Sequence, residues 1–383
     1  MEVPPDEQVP LSTVAGLGEQ WRTEAAVAQE QVLPDGRVVV SCGAQLGSGG
    51  LGRHLAEIMD ALERRGTPGV CLSSQTRGEP SPTARRELRV RAVTKLAEPW
   101  TRYSPAWRIW AIRAQYDSYA ARRLPPGDHL IAFIRQAAAQ FAAARALGYQ
   151  SVSMMSASPH VRRVARQHAR AYEQYPLERS FGTHILRRYL SEYEQADLIY
   201  AASRYTLESF LEQGFPEERL AIFPLTPAPR YTPRDRARTA STFDVLYIGS
   251  LSVAKGVPLL IDAVRRLPFP DLRLILIGGW KSPGMRRFVE DARAADPRIV
   301  LAPGDPLEHL RTAGLCVHPT FEDGFAYAPA EALACGVPAL VSEDTGMKDL
   351  IDPGVNGLIL PTGDIDALGE AIAASYRREI LSG

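Results

Sequence analysis

The chain alternates apolar runs of strand length with amphipathic runs of helix length, and it does so twice, on either side of a proline-rich break. Val38-Val39-Val40-Ser41-Cys42 is a buried-strand run, followed by a glycine-rich loop and a helix with apolar spacing at Leu55, Ile58, Met59 and Leu62. Val70 to Ser73, Leu88 to Val93, His129 to Phe133, Ser151 to Met155 and Leu198 to Ala201 read as further strands, with helices at Ala137 to Leu147 and Ile185 to Glu194. Pro224, Pro227, Pro229 and Pro233 mark a linker. The pattern then restarts, with strands at Phe243 to Ile248, Leu272 to Ile277, Ile299 to Ala302, Leu315 to Val317 and Ala339 to Val341. Helices are expected between them at Val257 to Leu267, Pro283 to Ala295, Leu307 to Ala313 and Tyr327 to Cys335. Strands alternating with helices predict parallel, doubly wound α/β sheets. At 383 residues the chain exceeds one ordinary core, so two such domains are expected. The predicted order is an arm over residues 1–35, with at most a short helix from Gln20 to Gln31, and a domain over 36–224. A linker over 225–240, a second domain over 241–365 and a terminal helix over 366–383 follow.

Composition narrows the class. Hydrophobic residues make up 45% and charged residues 23%, as in a globular protein. No apolar run is long enough to span a bilayer, and the first residues lack the basic start and apolar middle of a signal peptide. Cys42, Cys71, Cys316 and Cys335 are widely spaced in or beside apolar segments, so buried free thiols are expected rather than disulfides or zinc ligands. A cytoplasmic location follows as an expectation. Net charge is zero, yet residues 77–190 hold 20 Lys+Arg against 7 Asp+Glu, which leaves the remainder equally negative. An anionic partner for that half, or simply an arginine-rich solvated surface, would explain the bias. Nothing suggests nucleic acid.

One constellation carries the chemistry. In Phe321-Glu322-Asp323-Gly324-Phe325-Ala326-Tyr327-Ala328-Pro329-Ala330-Glu331, a strand ends, a turn carries Asp323-Gly324, and a helix starts near Tyr327. Open N–H groups at a helix start favour phosphate. Asp323 and Glu331 could accept hydrogen bonds from the hydroxyls of a sugar or a ribose; on spacing alone they could equally be a turn residue and a solvated helix residue. Lys255, beside Gly256 after the strand Phe243 to Ile248, suits a diphosphate. The loop Gly47-Ser48-Gly49-Gly50-Leu51-Gly52 formally contains a dinucleotide fingerprint. It starts too far from its strand, however, and the next strand lacks the acid that would hold an adenosine ribose.

The stretch from Asp323 to Pro338, two acids with seven residues between them followed by Ala332, Ala334, Gly336 and Pro338, resembles the donor motif of the retaining family-4 glycosyltransferases, of the group 1 type and the GT-B fold. The likeness runs from Arg37 to about Ile372 and is strongest from Asp244 to Gly363. It implies two Rossmann-like domains facing a cleft. It also implies a metal-independent hexosyltransferase that moves a sugar from a nucleotide diphospho-sugar to an acceptor hydroxyl with retention. By resemblance Asp323 meets the transferred sugar, Glu331 meets the ribose and Lys255 meets the diphosphate, with Gly324, Phe325 and Ala326 around the donor. Asp323 stands where the family usually has Glu, with Glu322 adjacent. Ser250 stands where the family often has an arginine, so a second phosphate cation must come from elsewhere. Gly49 and Gly50 would bring backbone amides to the donor. His160, in Ser158-Pro159-His160, matches a family histidine near the donor sugar; a surface-loop histidine is the alternative.

No metal or cofactor is expected beyond the donor as co-substrate, and Asp364-Ile365-Asp366 reads as a helix cap. The acceptor would be a glycan, a small molecule or a lipid-linked compound. A basic, aromatic helix over 105–123, with Trp107, Trp110, Arg108, Arg113, Arg122 and Arg123, and an arginine face at Arg162, Arg163, Arg166 and Arg170 would suit peripheral contact with an anionic membrane. Packing of the tryptophans inward explains them equally well. A non-catalytic GT-B binding protein, a nucleotide-sugar epimerase or a phosphorolytic enzyme on the same fold stays open. The family usually carries more helix beyond the point where this sequence stops.

Overall fold

The computed structural model describes residues 17–75, 84–87, 105–178, 183–233 and 242–382. The chain forms two compact units. The N-terminal unit takes in Ala25–Ala165 and Phe181–Leu225, and the C-terminal unit Met1–Glu24, Arg166–Ser180 and Thr226–Gly383. The segment after Ala165, which the sequence assigns to the first domain, therefore clusters with the second.

In the N-terminal unit, helix α1 (Leu17–Val32), shared with the other unit, leads into β1 (Val38–Gln45), α2 (Gly49–Arg64), β2 (Gly69–Gln75) and β3 (Ala84–Glu87). Then come α3 (Pro105–Ala121), β4 (His129–Phe133), α4 (Ala138–Ala146), β5 (Ser151–Ser156) and α5 (Val161–Gln174), whose residues from Arg166 onward cluster with the C-terminal unit. The unit closes with α6 (Thr183–Gln195), β6 (Leu198–Ala201), α7 (Arg204–Leu211) and β7 (Leu220–Ile222). The seven strands pair in parallel in the order β3-β2-β1-β4-β5-β6-β7. The strand order reverses between β1 and β4. The strand expected at Leu88 to Val93 lies outside the described residues, and so do the side chains of Trp107 and Trp110 and the end of the proline-rich linker.

The C-terminal unit runs β8 (Phe243–Ile248), α8 (Val257–Arg265), β9 (Leu272–Ile277), α9 (Pro283–Ala295), β10 (Ile299–Leu301), α10 (Pro306–Leu310) and β11 (Leu315–His318). It ends with α11 (Tyr327–Ala334), β12 (Ala339–Ser342), β13 (Gly357–Leu360) and α12 (Ile365–Ser382). Its six parallel strands take the order β10-β9-β8-β11-β12-β13, reversing between β8 and β11. Val245, Tyr247, Leu274, Leu276, Val317 and Leu340 fill its core with the helix residues Leu260, Val264 and Ile372. Parallel sheets covered on both faces demand such continuous apolar strands. The two Rossmann-like doubly wound sheets expected from the sequence are thus present.

Several local expectations hold. Asp364 Oδ1 accepts from the N–H of Asp366 (3.0 Å) and Ala367 (2.9 Å), capping α12. All four cysteines are buried and free, Cys42 and Cys71 in one unit and Cys316 and Cys335 in the other. Burial pushes the Cys42 thiol up to about 11; burial and then the Glu331 charge push Cys316 up to about 12. Among the described residues no helix is long and apolar enough to cross a membrane.

The turn after β8 rests on the chain after β11. Gly256 has φ +71°, and a Cβ there would lie 1.8 Å from the Pro319 carbonyl oxygen. Only glycine tolerates both conditions. Gly256→Ala is therefore expected to destabilise the C-terminal unit by at least about 2 kcal/mol, from left-handed strain plus a backbone clash. Urea unfolding checks this; a midpoint equal to that of the parent chain would show that the turn does not need its glycine.

Candidate donor site

The reversal between β8 and β11 in the C-terminal unit is where sheets of this kind receive ligands, beyond the carboxyl ends of the strands. The loop after β8 carries Ser250 and Lys255; the loop after β11 carries Glu322, Asp323, Gly324, Phe325 and Ala326. Backbone bonds zip the two together: the Phe321 N–H donates to the Ala254 carbonyl (2.8 Å), and the Thr320 hydroxyl donates to Ala254 (3.2 Å) and Glu322 (2.7 Å) carbonyls. The Asp323 N–H donates to the Asp344 carbonyl (3.1 Å), and its own carbonyl accepts from Gly346 N–H (3.0 Å). Asp323 is thus fixed from both sides.

This brings Lys255 onto Asp323. The ammonium donates to Asp323 Oδ2 (2.8 Å) and to the Glu322 carbonyl (2.7 Å). His318 Nε2 lies 3.2 Å from the same Oδ2, and the Phe325 N–H points at Oδ1 from 3.4 Å. Burial opposes the Asp323 charge, but Lys255 and His318 outweigh it and hold the carboxyl well below the usual range. Burial also opposes the Lys255 charge, and Asp323 and Glu322 reverse that, so its pKa rises. The pair is ionised across the physiological range.

Glu322 turns the other way. Its carboxylate oxygen Oε1 sits 3.0 Å from His168 Nε2 on α5, in the stretch that clusters with this unit. On the same stretch, Glu178 accepts the Val253 N–H at 3.1 Å, inside the Lys255 loop. His168, Glu178 and His318 were not singled out by sequence. His318 had a signal, as the polar residue ending an apolar strand just before the motif. His168 and Glu178 had none, because their sequence neighbours belong to a different part of the fold.

The remaining expected residues divide. Glu331 is on α11 and only 2% exposed, so it is not a solvated helix residue. Gly324, Phe325 and Ala326 are buried, so their contribution to a ligand would be through backbone N–H groups. The Phe325 ring is held between Trp21 (5.8 Å) and Tyr327 (5.3 Å). Trp21 comes from α1, in the segment expected to be a loose arm. Ala326 takes φ 69° as it caps α11, a conformation unfavourable for a residue with a Cβ. Ser250 is exposed, and its carbonyl accepts from the Tyr247 hydroxyl (2.8 Å). Gly49 and Gly50 lie exposed at the start of α2 in the N-terminal unit, where an added Cβ would meet nothing within 4 Å. Among the described residues, no group of three His, Cys, Asp or Glu side chains could hold a metal ion.

His160 is a correction. It is 1% exposed in the N-terminal unit, its ring packed on Tyr193 (4.8 Å), Phe210 (5.3 Å) and Phe215 (5.9 Å), and its N–H is held by the Ser209 hydroxyl (2.7 Å). The apolar face of α5 and the aromatic residues of α6 and α7 draw it inward, so it is a core residue and not a ligand contact. The arginine face is also broken: Arg163 is buried, pairs with Glu212 and lies over the Tyr205 ring at 4.8 Å.

Residues 233–381 match the family described as Glycosyl transferases group 1, and residues 48–225 match Glycosyltransferase Family 4. A D-inositol 3-phosphate glycosyltransferase of Pseudarthrobacter chlorophenolicus is 30% identical over 212 residues, 50% of this chain and 50% of that protein. The O-antigen chain mannosyltransferase B of Escherichia coli is 28% identical over 202 residues, 48% of this chain and 52% of that one. The matches thus span about half the length of these relatives. Among solved structures, WaaG, a glycosyltransferase involved in lipopolysaccharide biosynthesis, superposes with a TM-score of 0.66 at 17% identity, over 90% of this chain and 91% of that one. Sucrose-phosphate synthase from Thermosynechococcus elongatus gives 0.64 at 18% identity, over 90% of each chain. At such identities the superpositions speak for the fold alone, which is GT-B.

Burial lowers the His160 pKa to about 4, and the like charge of Arg162 adds to this. Below pH 6.5 the unfolded chain takes a proton there that the folded chain refuses, so stability is full above 6.5 and falls as pH drops towards 4. The slope approaches about 1.4 kcal/mol per pH unit. His160→Gln should flatten that part of the profile in urea titrations between pH 7 and 4; an unchanged slope would show that the ring titrates freely. Two matched families, one on each half, and a GT-B fold that carries the motif at its switch point lead to one assignment: the chain belongs to the group 1, family-4 type of GT-B glycosyltransferases.

Proposed function

We propose that the protein transfers a sugar from a nucleoside diphosphate sugar to an acceptor hydroxyl with retention of configuration. The observation that carries this reading is Lys255, fixed at the switch point by Asp323 and the Glu322 carbonyl. An ammonium has three donors, and two are used here. The third is left for a phosphate oxygen of the donor. The N–H groups at the start of α11 would face the same diphosphate.

Departure of the diphosphate breaks the bond from the sugar C1 to oxygen, and the electron pair goes to the diphosphate. The acceptor oxygen then bonds to C1 and its proton leaves with the diphosphate. Lys255 and the α11 amides would offset the charge that develops on the leaving group, which is where preorganised donors contribute most. Asp323 would meet the sugar hydroxyls and hold Lys255; Glu331 would meet the ribose. Ser250 would line the donor with its backbone groups. A neighbouring fold, HepE of Anabaena, has been solved with UDP-glucose (TM-score 0.56, 17% identity), which supports a nucleotide-sugar donor. A binding protein without turnover is the second reading, favoured by Ser250 at the family's arginine position.

Lys255→Ala and Glu331→Ala should each lower donor turnover at least about 100-fold, read as acceptor-dependent release of nucleoside diphosphate. Excess chelator should leave the rate of the parent chain unchanged. Full activity in either variant sinks the site assignment, and donor binding without release by the parent chain decides for the binding-protein reading.

A further inference from the structure

The N-terminal unit has its own switch point, between β1 and β4, and two arginines flank it. Arg113, on α3, lies within electrostatic reach of Cys42 near the end of β1, and Arg135 follows β4 by two residues. Arg135 has φ 76°, rare for a residue with a Cβ. Its N–H is held by Glu192, a carboxylate with no exposed surface.

The carboxylates nearby are already committed. Glu192 takes the N–H groups of Arg135 and Ala137 (3.1 Å) and Arg188 Nε (3.1 Å). Asp117 takes the N–H groups of Ala139 (3.0 Å) and Gln140 (3.1 Å) and Arg188 Nη2 (2.7 Å). Arg113 Nη1 and Arg135 Nε are buried atoms with no hydrogen-bond acceptor among the described residues. Arg135 has only the Tyr189 ring beneath it, at 5.5 Å. Burial, and then the like charge of Arg135, lowers the Arg113 pKa. A buried guanidinium donor without an acceptor is costly, and a second like charge beside it adds to the cost. Such strain at a ligand-binding edge of a sheet marks a place that a ligand completes. A guanidinium fork matches the paired oxygens of phosphate and carboxylate.

We propose that Arg113 and Arg135 form a seat for an oxyanion, a phosphate monoester or a carboxylate, carried by the acceptor. That the acceptor carries it rests on the transfer reading above; the seat itself does not. Glu192 is a positioning residue, since it sets the backbone that aims Arg135.

Thermal melting of the full chain tests this, with inorganic phosphate or glucose 6-phosphate against chloride at equal ionic strength, and co-sedimentation with phosphatidic acid vesicles as a separate arm. A ligand of the folded state raises its stability. Phosphate should raise the Tm of the parent chain and of Lys255→Ala by a few degrees. Arg113→Met and Arg135→Met should lose that response while melting in chloride no lower than the parent, since each removes a buried guanidinium nitrogen that has no acceptor. A response to the soluble phosphates identifies a free phosphorylated acceptor; vesicle binding alone, lost in both variants, identifies a lipid headgroup. The proposal is overturned by variants that respond like the parent, by variants that melt well below it in chloride, or by a parent chain blind to all three probes. If Lys255→Ala alone loses the phosphate response, the anion sits with the donor: the transfer reading stands and this seat falls. Persistence of the response in a chain without donor turnover has the reverse meaning.

Discussion

Lys255 meets Asp323 because two backbones touch. The turn at Gly256 lies against the Pro319 carbonyl, and a Cβ at Gly278 would lie 1.7 Å from the Gly249 carbonyl oxygen, so the loops after β8, β9 and β11 close on one another without side chains between them. A parallel sheet covered on both faces commits its strand residues to packing. Chemistry is displaced to the carboxyl ends, where the strand order reverses and neighbouring loops diverge. Lys255, Glu322 and Asp323 lie there for that reason, and Arg113 and Arg135 occupy the same topological place in the N-terminal sheet.

Asp323 has two tasks that pull differently. Held by Lys255 and His318, it stays ionised in a half-buried position where it would otherwise be driven towards neutrality. The same bonds fix its direction. Being shorter than the glutamate usual in the family, it has less freedom to meet a ligand and the lysine at once, and in the proposed transfer it would meet the sugar close to the β11 turn. Glu322 points away from Lys255 and contacts His168, which ties the stretch Arg166–Ser180 to the loop after β11 within the C-terminal unit.

Much of this was legible in the sequence. The apolar runs at Val38 to Cys42 and Leu272 to Ile277 announce parallel strands, because only a strand covered on both faces needs continuous apolar residues. The motif from Asp323 to Pro338 locates the donor loop, and the Asp364 cap is visible from its spacing. What escaped depends on contacts far apart in the chain. His160 looks like a loop residue beside Pro159, yet three aromatic rings from other elements enclose it. Arg113 reads as part of a basic helix, and only the packing of α3 at the β1 edge shows one of its donor atoms turned inwards. The helix near Gln20 to Gln31 is legible in the sequence, but its anchor is not, because Trp21 finds Phe325 some three hundred residues later.

The four thiols give the chain a clock of its own. Each is out of reach of reagents while its strand or helix stays closed, and burial also keeps the thiolates of Cys42 and Cys316 scarce. With two in each unit, modification kinetics separate the opening of one sheet from the opening of the other without any introduced label. Cys316 lies on β11, the strand that ends at the donor loop, and Cys42 lies beside the arginine pair. Protection of one thiol but not the other by an added ligand would therefore reveal which half of the molecule that ligand has engaged.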